Sequence, residues 1–507
     1  MDYFRRKPLD QILADGSDEA HGLKKTLTAV DLLALGIGAI IGAGIFATLG
    51  SAVSGSSGRP AGPGVVVSIL LTAVACGFCA LCYAEFASLV PISGSAYTYS
   101  YATLGELVAW IIGWDLILEY AVGNIAVAIS WAAYFKQLLA GFGLEIPAWM
   151  ATDYRSAVLA TQAAAESGVA SLSPEAAVAY QAHLHHPVLF GVPVVCNLLA
   201  VAITAAITWL LVIGVKESAR FNNVIVVLKL ATLLFFIGVG IFFTKPAHWH
   251  PFFPGGASGV WTGASLIFFA YIGFDAISTA AEECKDPGRD MPRGIIGSLA
   301  ICTVLYVAAA LVLTGMIPWE KLKGTADPLA AALAYVHQDW AAGVLAFGAV
   351  VAMTSVLLVF QLGQPRILMA MSRDGLLGPW FGKIHPKYRT PHVGTILTGV
   401  FVAFFSAVAN IDEIVQLTNI GTLFAFILVA IGILILRKRE PDRPRKFRVP
   451  FVPLTPILGI GMCLFLMAGL PLLTWWRFVL WLAAGLVIYF LYSRSHSRLA
   501  APVPPAP

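Results

Sequence analysis

Long apolar runs alternate with short polar connections along this chain. Residues 65–81, 223–243, 295–316 and 417–436 are each apolar over a stretch close to the ~20 residues that a helix needs to cross a bilayer. Twelve such spans are predicted, near 31–52, 64–90, 105–140, 188–214, 218–243, 260–281, 293–317, 340–371, 391–409, 412–437, 450–472 and 474–493. Two longer connections interrupt the pattern. The Ala- and Ser-rich stretch 141–187 is expected to carry short surface helices. The stretch 318–339 reads as an amphipathic lid in which Pro328 starts a short helix, since proline suits a first turn. Residues 1–30 read as a polar tail with no cleavable leader. Residues 494–507 form a second tail, ending in a Pro-rich run that is expected to be disordered.

Composition sharpens this picture. Of 507 residues, 58% are hydrophobic and 12% charged, half the charged share of an ordinary soluble domain at about a quarter. Where the cations sit matters more than the net charge. With the N-terminus placed inside, 24 Lys and Arg residues fall on inside segments, 7 fall outside, and Lys229 lies within a span. By the positive-inside rule both termini are then cytoplasmic, and the short tails fit a bacterial inner membrane. The seven cysteines fall mostly inside spans, and Cys76, Cys79 and Cys82 are expected to pack as small hydrophobes.

Two spans differ from the rest. The first carries Gly36, Gly38, Gly42, Gly44 and Gly50, and the sixth carries Gly273 followed by Asp275. Interior glycine costs a helix about 1 kcal/mol against alanine. Two weakened helices five spans apart match inverted repeats that each contribute a broken helix. Close packing at Gly38-x-x-x-Gly42 is the alternative for the first span. A broken helix offers N–H groups at one end and C=O groups at the other. A carboxylate suits the N–H groups near Gly42, Ala43 and Gly44, and an ammonium suits the carbonyls near Ile40, Phe269, Ala270 and Ile272. A zwitterion therefore fits, with no charged side chain required.

Several ionisable residues fall within spans. Lys229 sits about ten residues into the fifth span, deep enough that a coupling role competes with snorkelling; its ammonium is expected to reach the first span and the eighth near Thr354 and Ser355. Asp115 and Glu119 share one face of the third span. Asp275 is expected to cap the second half of the sixth helix, and Glu85 reads as an interfacial carboxylate. His183, His185 and His186 read as a solvated tract. No metal, cofactor or nucleic-acid partner is expected, and no nucleotide-binding loop supports ATP drive. Neither a nucleophile–base pair nor a continuous polar stripe points to an enzyme or a channel.

The Gly-rich first span resembles a known family. So do the runs CYAEFASLVPISGSAYTYSYATLGELVAWIIGWDLILEYAVG, FFAYIGFDAISTAAEECKDPGRDMP and PRILMAMSRDGLLGPWFGKIHPKYRTP. Together they resemble the cationic amino acid transporter branch of the amino acid–polyamine–organocation (APC) superfamily, as a bacterial member. The resemblance implies an all-α integral membrane protein of LeuT-like fold. In it, 31–243 and 260–437 are inverted five-helix repeats with spans 1 and 6 broken, and 450–493 supplies two peripheral helices. It also implies substrate contacts at Ile40, Gly42, Ala43, Gly44, Phe269, Ala270 and Ile272, and a proton-coupling lysine at Lys229. Met353 stands where animal members carry a small serine, which would shorten the side-chain pocket, while Glu119 could attract a cation. The expected function is proton-coupled symport of small neutral L-amino acids such as alanine. An arginine/lysine carrier, a sodium-coupled carrier, an exchanger and a transporter-like nutrient sensor are the alternatives. A small membrane subunit stays an open partner.

Overall fold

Among the described residues, twelve apolar helices organise the fold. Nine are long and apolar enough to cross a membrane: Ala29–Ser54, Gly62–Leu89, Glu106–Gly141, Asn223–Phe243, Gly256–Ser278, Pro287–Met316, Asp339–Arg373, Ile411–Arg439 and Leu472–His496. Leu198–Ile213, His392–Val408 and Leu454–Ala468 are shorter and complete the set, numbered below as spans one to twelve in chain order. The computed structural model describes residues 5–7, 26–55, 58–90, 95–189, 192–214, 219–325 and 327–500. Most of the N-terminal tail, and the Pro-rich end from 501, lie outside the described residues.

Local chemistry sets the helix ends. Thr28 and Asp31 form a capping box at the start of the first span. Proline opens the seventh span at Pro287 and the helix Pro328–Tyr335 within the 318–339 connection. Asn410 accepts from the N–H groups of Asp412 and Glu413 to open the tenth span, which ends on Arg437, Lys438 and Arg439 against its negative dipole end. The fourth span corrects the sequence expectation. It starts at Leu198 rather than near 188, because Val188–Leu189 pairs antiparallel with Val192–Pro193 and Asn197 caps the helix by accepting from Ala200 N–H.

Burial separates core from periphery. In the sixth span 94% of the apolar window is buried, against 22% in the twelfth; the first and third spans are nearly as enclosed as the sixth. The outward faces are apolar, with Trp209, Val224, Val304, Phe404 and Leu480 largely exposed. A patch of this size left bare marks a surface that meets lipid.

Ionic ties fasten the span ends. Glu85, at the end of the second span, is fully buried and not a loose interfacial acid. It accepts two bonds of 2.7 Å from Arg437, one of 2.7 Å from Val449 N–H, and lies 3.1 Å from Arg445. Its partners come from 352 or more residues away, so sequence alone could not show them. Glu106, also buried, accepts from Tyr489 at 3.0 Å and from Ser497, and pairs with Arg5 at 3.5 Å. At the opposite face, the connection 141–187 carries helices Tyr154–Ser167 and Pro174–Leu184. Arg155 and Arg477 both sit 3.1 Å from Glu413, which pins that connection to the tenth and twelfth spans. Cys76, Cys79 and Cys82 are buried, with Cys79 sulfur 3.5 Å from Cys463 on the eleventh span.

Removing one partner from a buried ion pair costs about 3–5 kcal/mol, whereas an exposed pair is worth about 1 kcal/mol or less. Glu85→Gln is therefore expected to lower the melting temperature of the purified protein clearly. Glu440→Gln, which breaks the more exposed pair with Arg443, is expected to leave it almost unchanged. Thermal unfolding in detergent measures both.

Candidate substrate site

The first span is helical from Ala29 to Ile40, opens at Ile41 and Gly42, and resumes through a wide π-type turn, Gly44–Thr48, into Leu49–Ser54. The sixth span behaves alike. Helix Gly256–Ile267 tightens over Phe268–Tyr271, opens at Ile272, and winds again as a 3-10 helix over Asp275–Glu283.

The two breaks touch. A Cβ on Gly44 would lie 2.2 Å from Ala270 Cα, and one on Gly273 would lie 2.9 Å from the Ala39 carbonyl. Gly273 also has φ +117°, a conformation that side chains disfavour. Gly42 packs on Val356 of the eighth span, so opening and close packing coincide in the first span. The structure thus brings Ile40, Gly42, Ala43 and Gly44 together with Phe269, Ala270 and Ile272, all of them buried. Carbonyls ending the N-terminal half of the first span and N–H groups starting its C-terminal half lie there among buried residues.

Tyr306 of the seventh span joins them and was not among the expected site residues. Its hydroxyl lies 3.0 Å from both the Ile40 and Ala270 carbonyl oxygens and can donate to either. The sequence offered one clue: a lone tyrosine inside an apolar run needs a partner for its hydroxyl. Lys229 is fully buried, and its ammonium donates to the Gly38 carbonyl, just before the first break. Thr354 accepts from Trp131 Nε1 of the third span at 2.9 Å and donates to Val350 O, while Ser355 donates to Ala352 O. Met353 is fully buried.

Three carboxylates are buried on the third and sixth spans. Glu119 sits on a π-type turn, Leu118–Val122, and its carboxyl adjoins that of Asp275 and the Thr422 hydroxyl. Asp275 is buried at the start of the 3-10 turn, and no side chain caps that turn. Asp115 points at Gly421 of the tenth span, and neither of its oxygens has a hydrogen-bond partner among the described residues.

A family model described as amino acid permease matches residues 27–493. The chain belongs to the amino acid permease family. It is 46% identical over 496 residues to the branched-chain amino acid permease BcaP of Bacillus subtilis, covering 98% of both chains. It is also 46% identical over 501 residues to a methylthioribose transporter of the same organism, covering 98% of this chain and 99% of that one. The vacuolar cationic amino acid transporter 4 of Arabidopsis thaliana is 34% identical over 444 residues, covering 86% of this chain and 67% of the relative. This permease is therefore an integral membrane transporter of the APC superfamily.

On the face that carries the 141–187 connection, a cavity of about 340 Å³ reaches down to Ala47 and Thr48, one turn beyond the first break. Lys136, Asp153, Glu175 and Asp327 line it. Burial, reinforced by Glu175, pushes the Asp327 carboxyl up to about 7, and burial pushes Asp153 up to about 6.

Two outcomes are expected from this geometry. Gly44→Ala forces the breaks apart and should abolish substrate binding by the permease, measured by calorimetry on protein that still elutes as a single species. Asp327 binds its proton more tightly in the fold than in the unfolded chain, so it costs stability increasingly as pH rises from about 4 to about 7. Asp327→Asn should therefore melt above the parent at pH 8, with the gap closing toward pH 4.

Proposed function

We propose that this permease carries small neutral L-amino acids, alanine among them, inward with a proton by alternating access. The apposition of the two broken spans carries this reading. A zwitterion can place its carboxylate on the N–H groups of Gly42, Ala43 and Gly44 and its ammonium on the carbonyls of Ile40, Phe269, Ala270 and Ile272. In this reading Tyr306 holds two of those carbonyls in place when no ammonium is bound. The repeats 31–243 and 260–437 rock around the site, and 450–493 stays peripheral.

Coupling falls to Lys229. Its ammonium holds the Gly38 carbonyl at the end of the inner half-helix. Loss of its proton would release that carbonyl and loosen the half-helix, which links protonation to the shape of the site.

The side-chain class rests on Met353 and Glu119. A buried methionine on the eighth span limits the length of the pocket. Glu119, engaged with Asp275, is poorly placed to serve as the counter-ion of a cationic side chain. The Bacillus subtilis relative named for branched-chain amino acids, at 46% identity, supports a neutral substrate, while those named for cationic amino acids share 34–36%. Cation placement along the chain supports cytoplasmic termini in a bacterial plasma membrane.

Purified protein in liposomes tests this directly. Alanine uptake is expected under an inside-alkaline gradient with no sodium requirement, and Lys229→Ala should lose the response to pH while retaining binding. Sodium-dependent uptake, or gradient-driven uptake in Lys229→Ala, would overturn the coupling assignment. Met353→Ser is expected to widen acceptance to longer side chains; a single pocket residue can shift selectivity by about 1–3 kcal/mol. Arginine preference in the parent would overturn the neutral reading.

A further inference from the structure

An open cavity of about 540 Å³ lies at the start of the seventh span, at the end of the molecule opposite the 141–187 connection. Gly288, Arg289, Pro292, Arg293, Ile296 and Gly297 line one wall, and Lys446 and Phe447 the other. Arg289 and Arg293 are exposed, and neither guanidinium is hydrogen-bonded or within ion-pair distance of a carboxylate among the described residues, Asp286 lying within electrostatic reach of Arg289. The nearby acid Asp286 is held by Lys446 at 2.9 Å. The stem of Lys446 lies directly over Gly288, where any Cβ would collide with it. That contact fixes one cation beside the other two.

The polarity of this helix face changes abruptly. Arg289 and Arg293 are followed at helical spacing by Ile296, Ala300 and Val304, all exposed. Val304 belongs to the apolar surface that meets lipid. A cationic notch thus opens directly onto an apolar track. A soluble anion would satisfy the arginines but leave Ile296 and Phe447 wet. A zwitterionic lipid would bring its own cation toward three others.

We propose that this cavity binds an anionic phospholipid, with its headgroup phosphate between Arg289, Arg293 and Lys446 and one acyl chain along Ile296 and Val304. Arginine suits a phosphate bidentately, and basic pockets between spans are recognised sites for anionic headgroups. The site also borders the inner gate region. Thr26 and Leu27 N–H groups both donate to Glu283 O, and Lys285 N–H donates to Leu27 O, so the start of the first span and the end of the sixth are stitched together next to it. Only the leaflet that supplies the lipid rests on the cytoplasmic placement of the termini; binding itself does not.

Native mass spectrometry of the full-length protein in detergent tests the site, with phosphatidylglycerol and phosphatidylcholine of identical chains as probes. Phosphatidylglycerol should be retained preferentially, and soluble glycerol phosphate should not displace it. Arg289→Gln with Arg293→Gln should weaken phosphatidylglycerol retention roughly 25-fold, at about 1 kcal/mol per cation near a lipid headgroup, and leave phosphatidylcholine unchanged. Lys383→Gln, on another exposed segment, should change neither. Raising salt on the parent protein should reproduce the loss without any substitution. Equal retention of both lipids, displacement by glycerol phosphate, or an unaltered double variant would each overturn the proposal. A reversed sidedness in uptake assays would move the lipid to the other leaflet and leave these binding results untouched.

Discussion

Hydrocarbon cannot hydrogen-bond a peptide group, so a helix interrupted at mid-membrane must find partners for its freed N–H and C=O groups within the protein. This permease interrupts two helices, and much of its architecture follows from that constraint. The first, third and sixth spans occupy the most enclosed positions, where other helices shield the two broken ones from lipid. Their breaks press against each other through Gly44 and Gly273, because any side chain at those two positions would hold the backbones apart. Tyr306 and Lys229 then serve carbonyls that end the helical segments before the two openings. The polar backbone at both breaks is thereby sequestered from hydrocarbon.

A site built on main-chain dipoles needs rigid surroundings, and the fold supplies them away from the breaks. Glu85 with Arg437 and Arg445 locks the second span to the tenth and to the segment that follows it. Glu106 gathers Tyr489, Ser497 and Arg5, joining the third span to both ends of the described chain. At the opposite face Arg155, Glu413 and Arg477 hold the 141–187 connection down, and the Pro328–Tyr335 helix rests against Gly50 of the first span. These ties join scaffold spans to one another, whereas the start of the first span and the end of the sixth are joined by backbone bonds between Thr26–Leu27 and Glu283–Lys285.

The buried acids show how one sequence feature can be correctly noticed and incompletely understood. Asp115 and Glu119 lie four residues apart and share a face, as helical spacing requires. Which neighbours they meet depended on the tenth span reaching Asp115 and on the sixth unwinding just before Asp275. A carboxyl beside a carboxyl is a different object from a carboxyl lining a substrate pocket, and only packing distinguishes them.

The sequence by itself determined the solvent, the number of apolar helices and the identity of the two weakened ones, because run length and interior glycine are local properties with local energetic costs. It also placed the backbone groups at Ile40–Gly44 and Phe269–Ile272, since a break exposes whatever lies beside it. Tertiary structure decided the rest. The fourth span starts at Leu198 because a short ribbon forms before it. Glu85 became a buried hub and Tyr306 a bridge because partners 36 to 364 residues distant arrived beside them. Spacing along one helix carries no information about a neighbour whose position is set by twelve helices packing at once.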